Sequence, residues 1–95
     1  STGETIESLI KQDSTLTSFT YILERANLLR SMAAYGQYTV YAPSNEGVKI
    51  YVDSLWNDQN AVVEHNGMTS NSLEGLSDSL CIDIAKTRQI CFIEY

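Results

Sequence analysis

The sequence predicts an α+β fold with several short helices and a small β-sheet. Apolar residues recur at helical spacing in several stretches of the chain. One other stretch, Tyr38–Ala42, has the tyrosine, threonine and valine content typical of a strand. The only proline, Pro43, ends this strand because proline has no N–H to donate to a neighbouring strand. A length of 95 residues fits one domain, so we expect residues 1–95 to form a single unit.

The region before the strand is predicted to be helical. An apolar face predicts a helix over residues 5–12, and residues 13–15 break it. The strongest amphipathic pattern follows over residues 16–26. We expect Asn27 to end this helix because asparagine tolerates the left-handed conformation. A further short helix is predicted over residues 28–33.

A third amphipathic helix and a long loop follow the strand. Apolar residues at i, i+3, i+4 and i+7 predict a helix over residues 45–55, with Ser44 or Asn45 as its N-cap. Residues 56–72 are rich in asparagine and serine, which predicts a surface loop. Loops of this length are usually functional or mobile, and the sequence leaves the role of this one open.

A last helix and a strand-like tail complete the predicted elements. The helix covers residues 73–85, with Asn71 and Glu74 placed like a capping box at its start. A strand at 38–42 with few partners has open edges, which pair readily with other chains. We therefore expect residues 89–93 either to pair with that strand or to mediate dimerisation.

Composition argues against two classes of partner. The chain has 12 acidic and 6 basic residues and a net charge of −6, whereas nucleic-acid binding requires clustered lysine and arginine. No apolar run approaches the roughly 20 residues of a membrane span. We expect neither a nucleic-acid partner nor a membrane span, although a lipid anchor upstream of Ser1 stays open.

The residues with catalytic or metal-binding potential are isolated. His65 is the only histidine, and neither a second histidine nor a nucleophile motif accompanies it. Cys81 and Cys91 are too few for a disulfide framework and, with one histidine, for a metal site. We expect two reduced thiols, at least one of them in the core. The sequence therefore predicts no enzyme, no cofactor and no metal.

Aromatic residues indicate a candidate contact surface. Six tyrosines are many for this length, and a packing role in the core and its rim is the simplest interpretation. The sharper hypothesis is a surface for a protein or a glycan, because tyrosine combines apolar area with a polar tip. Tyr51 and Trp56 are the candidate glycan contacts, together with the 56–72 loop.

The order of these patterns resembles the first half of a fasciclin (FAS1) domain. In that family a helix similar to T-L-x-x-F-x-x-x-L-x-x-A-G-L precedes a strand and turn similar to T-V-F-A-P-T-N. The resemblance covers about residues 15–55, is weaker over 73–86, and does not extend to 88–95. Asn27 replaces the glycine of the family helix. The family's first motif matches Thr39, Val40, Tyr41, Ala42, Pro43, Ser44 and Asn45.

The resemblance implies several N-terminal helices packed on a small, incomplete β-sheet. The family's Tyr-His pair and its second motif have no match here, so the chain resembles an N-terminal piece of the domain. A non-enzymatic adhesion module is implied, secreted or held at the cell surface, as a lipoprotein of the periplasm or outer membrane in bacteria. Its partners would be proteins, matrix or glycans. The first motif, residues 39–45, transfers as candidate binding residues, although we expect Thr39, Pro43 and Asn45 to hold the corner between strand and helix.

Two other functions stay open. The chain fits a small α-rich intracellular domain that binds a partner or acts as a scaffold and shares only the turn motif. A signal peptide encoded ahead of Ser1 would contradict this hypothesis. The chain also fits a carbohydrate-binding module built on Trp56 and the 56–72 loop, which binding to a glycan panel would test.

Overall fold

A computed structural model describes residues 5–30, 39–86 and 92–94, with the backbone alone at 39–41 and 92–94. Within these ranges the α-helices are α1 (Ile6–Gln12), α2 (Thr17–Arg25), α3 (Asn45–Trp56) and α4 (Asp78–Lys86). Short 3-10 turns are formed by Ser14–Leu16, Glu64–Gly67 and Leu73–Gly75. The strands are β1 (Thr39–Tyr41) and β2 (Phe92–Glu94).

The predicted α+β fold is wrong, because this is a small helical domain. Helices account for 68% of the residues whose side chains are placed, and no strand lies among them. β1 and β2 contain three residues each and pair with one another in antiparallel fashion. A ladder of two short strands is too small to serve as a layer on which helices pack. The apolar faces of the helices are instead buried against one another.

The ladder joins the region before α3 to the C-terminal tail. Thr39 lies opposite Glu94, and Tyr41 lies opposite Phe92. The predicted pairing of residues 89–93 with residues 38–42 falls partly outside the described residues. Most of the predicted helix at 28–33 and Cys91 also lie outside them.

The predicted helix over residues 5–12 is confirmed by α1. Thr5 begins this helix by accepting a hydrogen bond on Oγ1 from the Ser8 amide at 3.1 Å. Asp13 then accepts bonds from both the amide and the hydroxyl of Thr15. The bond from the Thr15 side chain contributes most to lowering the pKa of the Asp13 carboxyl, and the backbone bond adds to it.

The end of α2 confirms the predicted role of Asn27. Its φ of 58° lies in the left-handed region. The amide of Asn27 bonds to the carbonyl of Glu24, and the amide of Leu28 bonds to the carbonyl of Leu23. This pair of bonds is a Schellman motif, which satisfies carbonyls that the helix leaves without partners.

The core is helical and centres on α2. Phe19, Ile22 and Leu23 are completely buried, and α2 packs against both α3 and α4. Cys81 lies on the face of α4 that enters this core, and burial raises the pKa of its thiol. The described core side chains all belong to helices or to the segments that connect them. They are Ile10, Phe19, Ile22, Leu23, Ala26, Leu29, Val48, Val52, Leu55, Met68, Leu76, Leu80, Cys81, Ile84 and Ala85.

The region before α4 differs from the prediction of one helix over residues 73–85. Leu73–Gly75 forms a 3-10 turn, and α4 begins only at Asp78. The Ser72 hydroxyl accepts the amide of Gly75, whereas Ser77 is the residue whose hydroxyl accepts the first-turn amide of α4. Two short capped elements therefore replace the single predicted helix.

The predicted capping box of Asn71 and Glu74 is also wrong. The Asn71 side chain donates to the Asp53 carboxylate at 2.8 Å, so it bonds to α3 and not to the helix that follows it. Glu74 is exposed in the 3-10 turn. The N-cap is Ser72, one residue after Asn71, because the 3-10 turn begins at Leu73.

Arg25 joins the end of α2 to the start of α4. Its guanidinium donates to the Asp78 carboxylate at 2.9 Å, to the Leu76 carbonyl at 2.8 Å and to the Tyr21 hydroxyl at 3.1 Å. The bonds to Asp78 and then to Tyr21 raise the pKa of Arg25. The Arg25 side chain is 26% exposed and that of Asp78 is 78% exposed, so water screens the ion pair.

We expect Arg25→Met to lower the free energy of unfolding by about 1–2 kcal/mol, because the Leu76 carbonyl loses its charged donor. Asp78→Asn should lower it by less than about 1 kcal/mol, because an exposed ion pair contributes little. Urea unfolding followed by circular dichroism measures both changes. Equal losses for the two variants would show that the bond to Leu76 contributes nothing measurable.

Candidate binding site

The residues of the predicted first motif build a corner. Ser44 is the N-cap of α3, and its hydroxyl accepts the Gly47 amide at 3.2 Å. The Asn45 side chain donates to the Ser14 carbonyl at 3.0 Å and accepts the Ser18 amide at 2.9 Å. Asn45 therefore fastens the start of α3 to the start of α2.

The rest of the motif leads into this corner. Thr39, Val40 and Tyr41 form β1, for which only the backbone is described. Ala42 packs against the core, and Pro43 is half-buried. The bonds of Asn45 therefore run to Ser14 and Ser18 at the start of α2, whereas the sequence predicted that Asn45 holds the corner between strand and helix.

A groove of about 790 Å³ runs along the exposed side of α3. Val48 and Val52 lie at its floor, and Ile50 is 64% exposed at its edge. The Asp53 carboxylate on its wall already accepts bonds from the side chains of Asn57 and Asn71. Asn71 also lines the groove, so its bond to Asp53 joins two of the lining residues.

The loop after α3 is held at its base by two stacked rings. The centroids of the Trp56 and His65 rings lie 3.5 Å apart, and their planes differ by 1°. Nδ1 of His65 donates a hydrogen bond to the Trp56 carbonyl at 2.8 Å. Nε2 of His65 lies 3.5 Å from the Glu64 carboxylate. This histidine is half-buried and has a structural role at the end of the helix.

A left-handed turn of three residues makes this arrangement possible. His65 and Asn66 both have φ of 55°, and Gly67 has φ of 79°. The turn directs the Asn66 side chain back to the Leu55 carbonyl, to which it donates at 2.7 Å. The last carbonyls of a helix have no hydrogen-bond donor within the helix. Here a later segment of the chain supplies the donors.

The tip of the loop presents apolar side chains to water. Val62 is fully exposed and Val63 is 60% exposed. Below the tip lies a cleft of about 270 Å³, bounded by the stacked rings and by polar loop side chains. Its lining comprises Trp56, Asn57, Asp58, Gln59, Ala61, Glu64 and His65. We name residues 57–64 the contact loop.

Two sequence features indicate the contact loop in addition to the asparagine and serine content that predicted a loop over residues 56–72. Val62 and Val63 are consecutive apolar residues inside a polar stretch. Moreover, residues 50–85 contain no lysine or arginine, so this segment carries the whole net charge of −6 while the rest of the chain is balanced. Its acidic residues are Asp53, Asp58, Glu64, Glu74, Asp78 and Asp83.

The predicted glycan contacts are less open than expected. Tyr51 is half-buried and packs against the core. Trp56 also packs against the core, and His65 covers one face of its indole. A sugar ring stacks on an exposed aromatic face, and the structure leaves only part of Trp56 for this purpose. The carbohydrate-binding hypothesis stays a prediction that a glycan panel tests.

The described part of the chain contains no group of three or more histidine, cysteine, aspartate or glutamate residues placed to hold a metal ion. None of its helices has the length and apolarity needed to cross a bilayer. Comparison with family models, with curated proteins and with solved structures yields no match.

Proposed function

We propose that this domain is a non-enzymatic module that binds a protein partner through the contact loop, residues 57–64. The observation that carries the proposal is the exposed pair Val62 and Val63 on a loop whose base is fastened to α3. The location at the cell surface is proposed from the fasciclin resemblance of residues 15–55 alone. The helical fold lends no support to that resemblance.

The anchored base favours binding at the tip. The stack of His65 on Trp56 and the cap from Asn66 hold both ends of the contact loop. A loop that is already ordered loses less conformational entropy when it binds, so more of the contact energy becomes affinity. Burial of apolar surface contributes about 25 cal/mol per Å², so covering the exposed side chains of Val62 and Val63 would stabilise a complex.

The expected result is that Val62→Ser together with Val63→Ser weakens binding by at least about ten-fold. The control is Ile50→Ser together with Ile82→Ser, which removes two exposed apolar side chains elsewhere. Labelled protein is applied to immobilised extracellular-matrix proteins, each tested with and without enzymatic removal of its glycans. Urea unfolding checks that both variants keep their stability within about 0.5 kcal/mol.

Saturable binding of the unmodified domain that only the valine variant loses, and that survives deglycosylation, supports the proposal. No binding to any member of the panel, or an equal loss in both variants, contradicts it. Binding that disappears on deglycosylation supports the carbohydrate hypothesis instead.

A further inference from the structure

We infer that the partner docks on the contact loop with a basic, partly apolar segment of protein chain. This inference rests on the proposed function and specifies the chemistry of the partner. It is carried by the charge that surrounds Val62 and Val63 and by the cleft beside them.

The ionisable side chains that line the cleft are two carboxylates and the single histidine. Asp58 and Glu64 both line the cleft, and neither lysine nor arginine is present in its lining. The absence of basic residues from 50 to 85 leaves no lysine or arginine of the segment to neutralise this surface.

Asp58 and Glu64 keep unused capacity to accept hydrogen bonds. One oxygen of Asp58 accepts the Asn60 amide at 2.9 Å, and one oxygen of Glu64 lies 3.5 Å from Nε2 of His65. A carboxylate has about four lone-pair sites, so each retains room for a charged donor. Lysine and arginine are the side chains that supply such donors, and arginine does so in a planar fork that matches a carboxylate.

The size and walls of the cleft suit one long cationic side chain. Its volume of about 270 Å³ lies below the roughly 300–1,000 Å³ typical of small-molecule sites. The rings of Trp56 and His65 form part of its wall and offer apolar contact area to the methylene stem of a lysine or arginine side chain. Apolar residues of the same segment would cover Val62 and Val63, which a purely ionic partner would leave in water.

Charge also argues against other occupants of this surface. Nucleic acid and anionic lipid would meet a negative loop, and juxtaposed like charges oppose binding. A basic partner gains from the same field, because opposite potentials accelerate encounter and favour the correct orientation.

Short peptides test the inference directly by fluorescence anisotropy. One peptide alternates arginine and leucine, a second alternates arginine and serine, and a third alternates glutamate and leucine. The binding variant is Asp58→Asn with Glu64→Gln, which keeps an acceptor oxygen at each position. The control is Glu24→Gln with Glu46→Gln, which changes the net charge equally on exposed residues outside segment 50–85.

We expect the arginine–leucine peptide to bind most tightly and to lose at least about ten-fold in affinity with the Asp58 and Glu64 variant. The control variant should lose less than about two-fold. Raising salt from about 50 to about 500 mM should weaken binding, because screening acts on exposed charges. Val62→Ser with Val63→Ser should reduce the affinity to that of the arginine–serine peptide.

Equal affinity for the glutamate–leucine peptide, or equal losses in both charge variants, would overturn the inference. The two proposals can fail separately. If matrix binding requires the valines but ignores Asp58 and Glu64, the loop binds a partner and the inference of a basic segment is wrong. If the valine variant binds as tightly as the unmodified domain in both assays, the proposal that the contact loop binds the partner is wrong.

Discussion

Phe19→Ala is expected to lower the free energy of unfolding by about 3–5 kcal/mol. Phe19 is completely buried on α2, the helix that packs on both α3 and α4. Removing the ring takes away its burial energy and leaves a cavity that rigid neighbours fill only in part. Small domains are stable by only about 5–15 kcal/mol, so this one change removes a large share.

Urea unfolding followed by far-UV circular dichroism measures the loss. A smaller matched pair guards against a Phe19→Ala variant that does not fold. Ile22→Val shortens a completely buried side chain and should lower stability by about 0.5–1.5 kcal/mol. Ile50→Val makes the same chemical change at a position that is 64% exposed, and should stay within about 0.5 kcal/mol of the unmodified domain. Equal effects of the two isoleucine changes would refute a core centred on α2.

Gly75→Ala is expected to lower the free energy of unfolding by about 1–3 kcal/mol. A Cβ at this position would lie 2.6 Å from the Ser70 hydroxyl oxygen, 2.7 Å from the Ser70 amide nitrogen, and closer still to the Ser70 carbonyl oxygen. Two of these atoms belong to the backbone, so the chain itself must move. The Gly75 carbonyl accepts the Thr69 amide at 3.0 Å, and this bond would be displaced with it.

Gly47→Ala provides the matched control for this prediction. Gly47 lies in the first turns of α3, and its nearest neighbour to an added Cβ is the Ser44 hydroxyl at 3.5 Å. Alanine in an exposed helical position is more stable than glycine by about 0.5–1 kcal/mol, because glycine loses more backbone entropy on folding. The two substitutions should therefore change the midpoint of urea unfolding in opposite directions. A shift of the same sign would contradict the close approach of Gly75 to Ser70.

The helices could be predicted because their signals are local. The apolar pattern over residues 45–55 and the cap at Ser44 depend on residues within a few turns, and α3 forms almost as predicted. The same holds for the end of α2, because asparagine tolerates the left-handed conformation that Asn27 adopts there. The strand tendency of residues 38–42 is local as well, but a sheet also requires partners that a local pattern does not supply.

The candidate site was predicted only in outline. The 56–72 loop and Trp56 were identified from composition. The stack of His65 on Trp56 was not, because it depends on a left-handed turn nine residues further along the chain. Asn71 was assigned to a capping box, whereas its partner is Asp53, which lies 18 residues earlier. Val62 and Val63 were visible in the sequence, but their exposure depends on how the loop is fastened.

The sequence by itself determined the positions of α1, α2 and α3, the cap at Ser44 and the excess of negative charge. These features depend on short-range backbone geometry and on composition. Only the tertiary structure decided that the helices form the core without a supporting sheet, that Gly75 must lack a side chain, and that the loop after α3 is anchored by His65 and Asn66. Those outcomes require packing and hydrogen bonds between distant segments, such as the bond from Arg25 to Asp78 across 53 positions, which no local pattern specifies.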